Sequence, residues 1–244
     1  MRTRRATLVL SAMAVLVAAA AGVATAAGKP GYPDRIGWAG RTWQVKSSQS
    51  KVGPGPNYFS ASAENVWVDG LGRLHLRITY RNGRWSCAEV IGNDSLGYGT
   101  YTFQLASPVD GLDANVVLGL FTWSDKAAYH HREIDVEFAR WGNAGDPTNA
   151  QYVVQPADTA GHLRRLTVPA GAAPTAHGFA WQAGRVDFAS AGPNGWSDGW
   201  SYLGPDAPRP GGENVRLNLW LSGGAPPTDG QEVEVIADSF AFAP

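Results

Sequence analysis

Leu74-His75-Leu76-Arg77-Ile78-Thr79-Tyr80 alternates apolar and polar side chains, Asn82-Gly83 supplies a tight turn, and Trp85 to Ile91 reads as a second strand running back. A period of two sends successive side chains to opposite faces of a strand, and Asn-Gly tolerates the positive φ angles of a two-residue turn, so this stretch predicts a β-hairpin. The pattern extends both ways. Upstream, Thr42-Trp43-Gln44-Val45 and Asn65-Val66-Trp67-Val68 alternate, and Asp69-Gly70 marks the turn before Leu74. Downstream, strands are expected at Tyr98 to Leu105, Ala114 to Trp123, Arg132 to Phe138, Ala150 to Val154, Leu163 to Val168, Gly178 to Trp181, Arg185 to Ala189, Asn214 to Leu221 and Glu232 to Phe242. Lys51 to Tyr58 and Ala189 to Gly212 are rich in Gly, Pro and Ser and are expected to be loops, the second long enough to suggest a functional one. No segment after the N-terminal leader offers ten or more residues with a 3.6-residue period, and 30 Gly and 16 Pro are scattered through the 244 residues. The expectation is an all-β sandwich or barrel with no internal repeat and no interdomain linker.

The N-terminus predicts export. Arg2, Arg4 and Arg5 precede an apolar run from Ala6 to Val23, and Ala24-Thr25-Ala26 supplies a small-residue cleavage site, with Thr25-Ala26-Ala27 as a frame one residue on. That order reads as a signal peptide over residues 1–26 rather than a membrane anchor, although a core of about 18 apolar residues nearly reaches spanning length. Residues 27–244 then form one secreted domain, enough chain for one sizeable core. Three of the 20 Lys and Arg lie in the leader and none of the 21 acids does, so the mature chain carries a formal excess of about four negative charges. The Arg164-Arg165 pair and the scattered Arg73, Arg77, Arg81 and Arg84 read as solvated faces, so nucleic acid is not an expected partner. No membrane partner is expected after cleavage, and a monomer is expected. Cys87 is the only cysteine, which rules out an intramolecular disulfide, and it reads as a buried, inert thiol.

Glu133-Ile134-Asp135-Val136-Glu137-Phe138 places three carboxylates at i, i+2 and i+4 on one strand face, with Ile134, Val136 and Phe138 on the other. A half-buried strand with an acidic solvent side would look the same. The apolar run from Val116 to Trp123 before it and Trp141 after it favour a groove instead. Like charges held this close push their pKa values apart, and a pair of carboxyls with split values is what glycosidic cleavage requires.

The chain resembles glycoside hydrolase family 16, the retaining β-glucanases and laminarinases. Its hallmark is a Glu-x-Asp-x-Glu or Glu-x-Asp-x-x-Glu strand in a concave β-jelly roll. Here the motif is Glu133 to Glu137, followed by Phe138 as in the unbulged branch. Cys87-Ala88-Glu89, Gly97-Tyr98-Gly99-Thr100-Tyr101 and the apolar strand before the acids are similar in order and spacing, and Phe179-Ala180-Trp181-Gln182-Ala183-Gly184 and Asn218-Leu219-Trp220 resemble later family segments. The resemblance runs from about residue 40 to the C-terminus. It implies a concanavalin-like jelly-roll sandwich with a concave cleft, Glu133 as nucleophile, Glu137 as acid/base and Asp135 as helper between them. A retaining mechanism wants carboxyls roughly 5–5.5 Å apart, whereas residues four apart on a flat strand are about 13 Å apart at Cα, so twist and inward-leaning side chains must close the gap.

The resemblance also places Glu89, Gln151, Asn218, Trp220, Asn57 and Tyr58 on the substrate, a neutral polysaccharide. Ten Trp, eight Tyr and eight Phe suit stacking on pyranose rings. Trp196 and Trp200, in the long expected loop, either wall the cleft or pin that loop. There are departures. Ile91 stands where lichenases carry Arg, Phe188-Ala189-Ser190-Ala191 replaces a Tyr-Val-Asp-Gly segment, and His130-His131-Arg132 precedes the motif where a small polar residue is common. Adjacent histidines diverge on a strand, so the pair reads as a loop edge rather than a metal site. Some family members hold a structural Ca²⁺ partly through an Asp that would be Asp238, but one carboxylate is far from a calcium motif, and no cofactor is expected. The implied activity is internal hydrolysis of β-1,3/1,4- or β-1,3-glucan, with transglycosylation or polysaccharide binding without catalysis as the alternatives.

Overall fold

The computed structural model describes residues 34–244, so the signal peptide expected over residues 1–26 lies outside the described residues. Sixteen strands follow in order: β1 Arg35–Trp38, β2 Arg41–Val45, β3 Val66–Val68, β4 Leu74–Arg81, β5 Arg84–Ser86, β6 Ala88–Gly92, β7 Gly99–Leu105, β8 Val116–Trp123, β9 Ile134–Phe138, β10 Ala150–Val154, β11 Leu163–Leu166, β12 Thr175–Gln182, β13 Arg185–Ala191, β14 Ser197–Leu203, β15 Asn214–Leu221 and β16 Val233–Ala243. The first sheet runs β1-β2-β6-β15-β8-β9-β10-β11 and the second β14-β13-β12-β7-β16-β4-β3, with β5 paired to β4. The architecture is an all-β, two-sheet jelly-roll sandwich of the concanavalin-like kind.

The strand alternation supplies the glue between the sheets. Ile134, Val136 and Phe138 turn into the core, each no more than 1% exposed. Across the interface Trp43 meets Phe240 edge-on at 5.6 Å, Phe138 meets His177 edge-on at 4.7 Å, and Tyr152 stacks on Phe188 at 5.0 Å. Burying an apolar side chain of Phe size stabilises by roughly 1.5–3 kcal/mol. The outer face of β9 is thereby aimed away from the core. At the side of the sandwich, Arg164 on β11 donates to the Gly199 carbonyl and pairs with Asp198 at 2.9 Å, joining one edge strand of each sheet.

Several local expectations need correction. Trp85 to Ile91 is not one strand: it divides at Cys87, where the chain leaves the β4–β5 hairpin and enters the first sheet as β6. The stretch from Ala189 to Gly212 is not all loop, because β13 continues to Ala191 and β14 pairs with it along its length. Ser, Asp and Gly give β14 weak intrinsic preference, and packing supplies the rest. Trp200 lies flat on Phe188, with centroids 5.4 Å apart and planes 15° apart, and Tyr202 is buried. Trp196 and Trp200 therefore pin this segment to the core and do not wall the cleft. The strand β1 carried no strong pattern, yet Ala39 (φ 51°) and Gly40 (φ 69°) make the two-residue turn that joins it to β2.

Candidate active site

Register brings the candidate residues into rows across the outer face of the first sheet. Glu89, Asn218, Gly119, Glu137, Gln151 and Arg165 are successive cross-strand partners from β6 to β11. The next row holds Ile91, Arg216, Phe121, Asp135 and Val153. Glu133 immediately precedes β9, beyond Asp135 on the same face. The face is recessed rather than open: Asp135 is 3% exposed and Asn218 is 3% exposed.

A tight turn presents Glu133. Tyr129, His130, His131 and Arg132 all adopt positive φ, between 50° and 62°, although none is glycine. Such residues cost about 1 kcal/mol or more each and persist only where the surroundings fix them. Here Arg132 Nη1 donates to the Ala128 carbonyl, its guanidinium stacks on Tyr129 at 5.2 Å, and His131 Nδ1 donates to the Ser124 carbonyl at 2.9 Å. The expected strand start at Arg132 is therefore displaced to Ile134, and Arg132 is buried beneath Gly211 rather than lying beside Glu133. His131 stacks on Trp123 at 4.1 Å with planes 7° apart. At the other end of β9, Trp141 tilts against Trp220 at 5.9 Å. The acids lie between these two aromatic pairs.

Burial pushes the titration of Glu133, Asp135 and Glu137 above the ordinary carboxylate range. The neighbouring negative charges push Glu133 and Asp135 further in the same direction. Contact with Asp135 offsets part of the rise at Glu133 without reversing it, so burial and the Glu137 charge leave Glu133 favouring its proton in the substrate-free protein, and Gln155 Nε2 donates to Asp135 Oδ2 at 3.2 Å. Glu137 accepts from Gln151 Nε2 at 2.7 Å. The orientation of that amide follows from its other end, where Gln151 Oε1 accepts from Trp141 Nε1 at 3.2 Å and from Arg165 Nη1 at 3.1 Å. Two donors on the oxygen leave only the nitrogen to face Glu137.

The solvated face expected of Arg165 is not what the structure shows, because its guanidinium is engaged within the protein. Its Nε donates to Thr148 Oγ1 at 2.8 Å, its Nη2 to the Ala139 carbonyl at 2.9 Å and to Asp146 Oδ2 at 3.0 Å, while Nη1 fixes Gln151. Its charge also opposes the upward push on Glu137. The other expected positions divide. Asn218 and Trp220 lie on the outer face of β15, and the Cβ that Gly119 lacks would sit 2.5 Å from Asn218 Oδ1, so a glycine there lets the Asn218 amide reach over β8 toward Glu137. Glu89 is fully buried, with one oxygen on Lys46 Nζ at 2.7 Å and the other on Arg216 Nη1 at 3.2 Å. Asn57 is 3% exposed and its amide donates to the Pro54 carbonyl at 2.9 Å and the Leu221 carbonyl at 2.8 Å, pinning its loop to the end of β15. Tyr58 packs beneath the Arg84 guanidinium at 4.7 Å. The substrate roles expected for Asn57 and for Glu89 thus meet side chains already engaged within the protein. Asp238 is the exposed bulge residue of β16. Among the described residues no three His, Cys, Asp or Glu side chains converge as metal ligands.

No protein-family model matches the sequence, and no curated protein matches it. Solved structures do share the fold. A β-glucanase of Bacillus licheniformis superposes with a TM-score of 0.63 at 19% identity, covering 83% of this chain and 92% of that one. A β-1,3-1,4-glucanase (lichenase) derived from a mouse hindgut metagenome gives 0.59 at 19% identity, over 83% and 92%. An immunostimulatory antigen and pseudo β-1,3-glucanase of Mycobacterium tuberculosis gives 0.62 at 22% identity, over 82% and 89%. The chain has the jelly-roll fold that these β-glucanases share.

Proposed function

We propose that the protein is a secreted, retaining endo-β-glycosidase of the family 16 type, hydrolysing internal β-1,3/1,4- or β-1,3-glucan linkages by double displacement. The observation that carries this reading is the acid row at β9, with Asp135 buried and Glu133 and Glu137 half-buried, set between two aromatic pairs on the sheet's outer face. The β-glucanases that share its fold add support, and the basic, apolar and small-residue leader supports export. In this mechanism Glu137 gives its proton to the glycosidic oxygen as that oxygen leaves, and the Glu133 carboxylate attacks the anomeric carbon to form a glycosyl ester. Glu137, now ionised, takes a proton from water, and the hydroxide displaces Glu133 with the original anomeric configuration restored.

The test is reducing-end release by the purified mature protein on lichenan, laminarin, xyloglucan and agarose, with Glu133→Gln as control. Release on a β-glucan that vanishes in the variant supports the reading and identifies the linkage; no release on any of them overturns it. New longer oligomers formed with excess acceptor sugar would identify transfer instead. Glucan binding without cleavage is the second reading, favoured by the tuberculosis protein described as a pseudo β-1,3-glucanase. Against it stands the full set of three acids here.

The Arg165–Gln151–Glu137 chain supplies a separate expectation. Arg165→Met frees the Gln151 amide to turn, so kcat/KM should fall by roughly 10²-fold, mostly through kcat. Steady-state kinetics on the best glucan of the panel checks this.

A further inference from the structure

Trp141 stands in a turn that does not suit it. A 2.9 Å backbone hydrogen bond from Asn143 to the Arg140 carbonyl closes the turn, and the two residues between, Trp141 (φ 53°) and Gly142 (φ 83°), both have positive φ. Turns of that kind take Asn, Asp or Gly at the first of these positions, because a bulky side chain in the left-handed region crowds its own backbone. The chain keeps to this rule elsewhere. Asn82-Gly83 (φ 54° and 75°) and Asn194-Gly195 (φ 58° and 74°) show nearly the same pair of angles, with asparagine in the place of tryptophan. The turn is also fixed in position: Arg140 donates through Nη1 to the Leu112 carbonyl and through Nη2 to the Asp110 carbonyl, each at 3.0 Å, and the Gly142 amide donates to the Ala114 carbonyl at 2.7 Å.

Backbone strain of this kind persists where a site requires it. Filling the core is not the requirement, since Trp141 is the exposed one of the ten tryptophans, at 39%. Its inward edge is polar. Nε1 donates to Gln151 Oε1 at 3.2 Å, and Gln151 Nε2 donates to Glu137 Oε2 at 2.7 Å, so a single amide separates the indole from the acid. Trp220 stands beside it with centroids 5.9 Å apart and planes 59° apart, a tilt that leaves the Trp141 face without a stacked partner. An open indole face next to the acid row, with its N–H turned inward, is a surface for the C–H face of a pyranose.

We propose that Trp141 is the platform on which an uncharged pyranose of the substrate stacks at the Glu137 end of the acid row, and that the same side chain positions Glu137 through Gln151. The inference rests on the glycosidase reading for the identity of the substrate. The sugar is uncharged because the negative π face of an indole repels an anionic substituent. Ring and N–H then have separable consequences. The ring holds the sugar and acts on KM, whereas the N–H holds the amide that meets Glu137 and acts on kcat. Arg165 Nη1 donates to the same Gln151 oxygen at 3.1 Å, so loss of the Trp141 N–H alone loosens Glu137 without releasing it.

Two substitutions separate the parts. Trp141→Asn gives the turn the residue its φ angles favour and removes the ring, and Trp141→Phe keeps a ring and removes the N–H. On the best glucan of the panel, Trp141→Asn should raise KM about tenfold or more with Tm within a few degrees of wild type. Trp141→Phe should hold KM near wild type and lower kcat by roughly several-fold. Calorimetric titration of a glucan oligosaccharide into the Glu133→Gln protein, with and without Trp141→Asn, makes the same comparison for binding alone. KM and Kd unchanged in Trp141→Asn overturn the platform and leave the glycosidase reading intact, and kcat unchanged in Trp141→Phe overturns the positioning of Glu137. Binding that weakens about tenfold in Trp141→Asn, with no cleavage by the wild type, supports the platform and overturns the glycosidase reading. Neither binding nor cleavage overturns both. If the Asn variant does not fold, Trp141→Gly, which also accepts positive φ, reads the same loss of the ring.

Discussion

Glu133→Gln should lower kcat on a responsive β-glucan by on the order of 10⁴-fold, and the same variant should unfold at a higher temperature than wild type at neutral and alkaline pH. The two effects have one origin. Glu133 is a carboxyl whose titration in the folded state is raised by burial and by Glu137. Such a group contributes its full stability below its unfolded-state pKa of about 4.3, where it is protonated in both states. That contribution is lost as pH rises through the raised folded-state value, because the unfolded chain releases the proton first. Glutamine has no proton to lose. The gain from the substitution should therefore be a few degrees in Tm at about pH 8 and absent at about pH 4. Calorimetric scans of both proteins across this range check it, and a Tm difference that does not grow with pH would mean that Glu133 is not held in a destabilising environment. The result would be a local case of catalytic groups being retained at a cost in stability.

Among the described glycines, Gly178→Ala should be the most damaging added methyl. Gly178 lies in β12 opposite Thr102 of β7, and an added Cβ would stand 2.0 Å from the Tyr101 carbonyl oxygen and 3.0 Å from its carbon. Both are backbone atoms of a strand held between β12 and β16, so neither can retreat without parting the second sheet. Overpacking that cannot relax costs about 3 kcal/mol or more, a large share of a total near 5–15 kcal/mol. The expected outcome is insoluble protein or a Tm lower by roughly 10 °C or more. Gly37→Ala is the matched control, because the corresponding Cβ meets nothing within 4 Å. Equal behaviour of the two variants would contradict this packing of β12 on β7.

What could be read from the sequence follows from what is local. Alternation in Leu74 to Tyr80 and in Tyr98 to Leu105 is a property of neighbours in the chain, and those strands appear where alternation placed them. The acid strand was legible for the same reason, as were the buried partners Ile134, Val136 and Phe138 on its other face. The strand β14 was not, because Ser197, Asp198 and Gly199 are held there by Phe188 and Arg164, from distant parts of the chain. Arg165 and Arg216 were hidden by the same limit. Each looks solvated beside its sequence neighbours, and only register shows that one lies across from Gln151 and the other across from Ile91. Glu89 was visible as an acid on the cleft face, but its two cations arrive from β15 and from Lys46, just past the end of β2.

Cys87 sits at the point where the chain passes from the β4–β5 hairpin into the first sheet, fully buried and with its thiol pushed by burial up to about 12. A sulfur so placed is chemically silent while the sandwich is closed and becomes an ordinary thiol once it opens. As the only sulfhydryl in the chain, it is a built-in clock. The rate at which a thiol reagent labels it measures how often the two layers come apart at their crossing point, under native conditions and without any introduced probe.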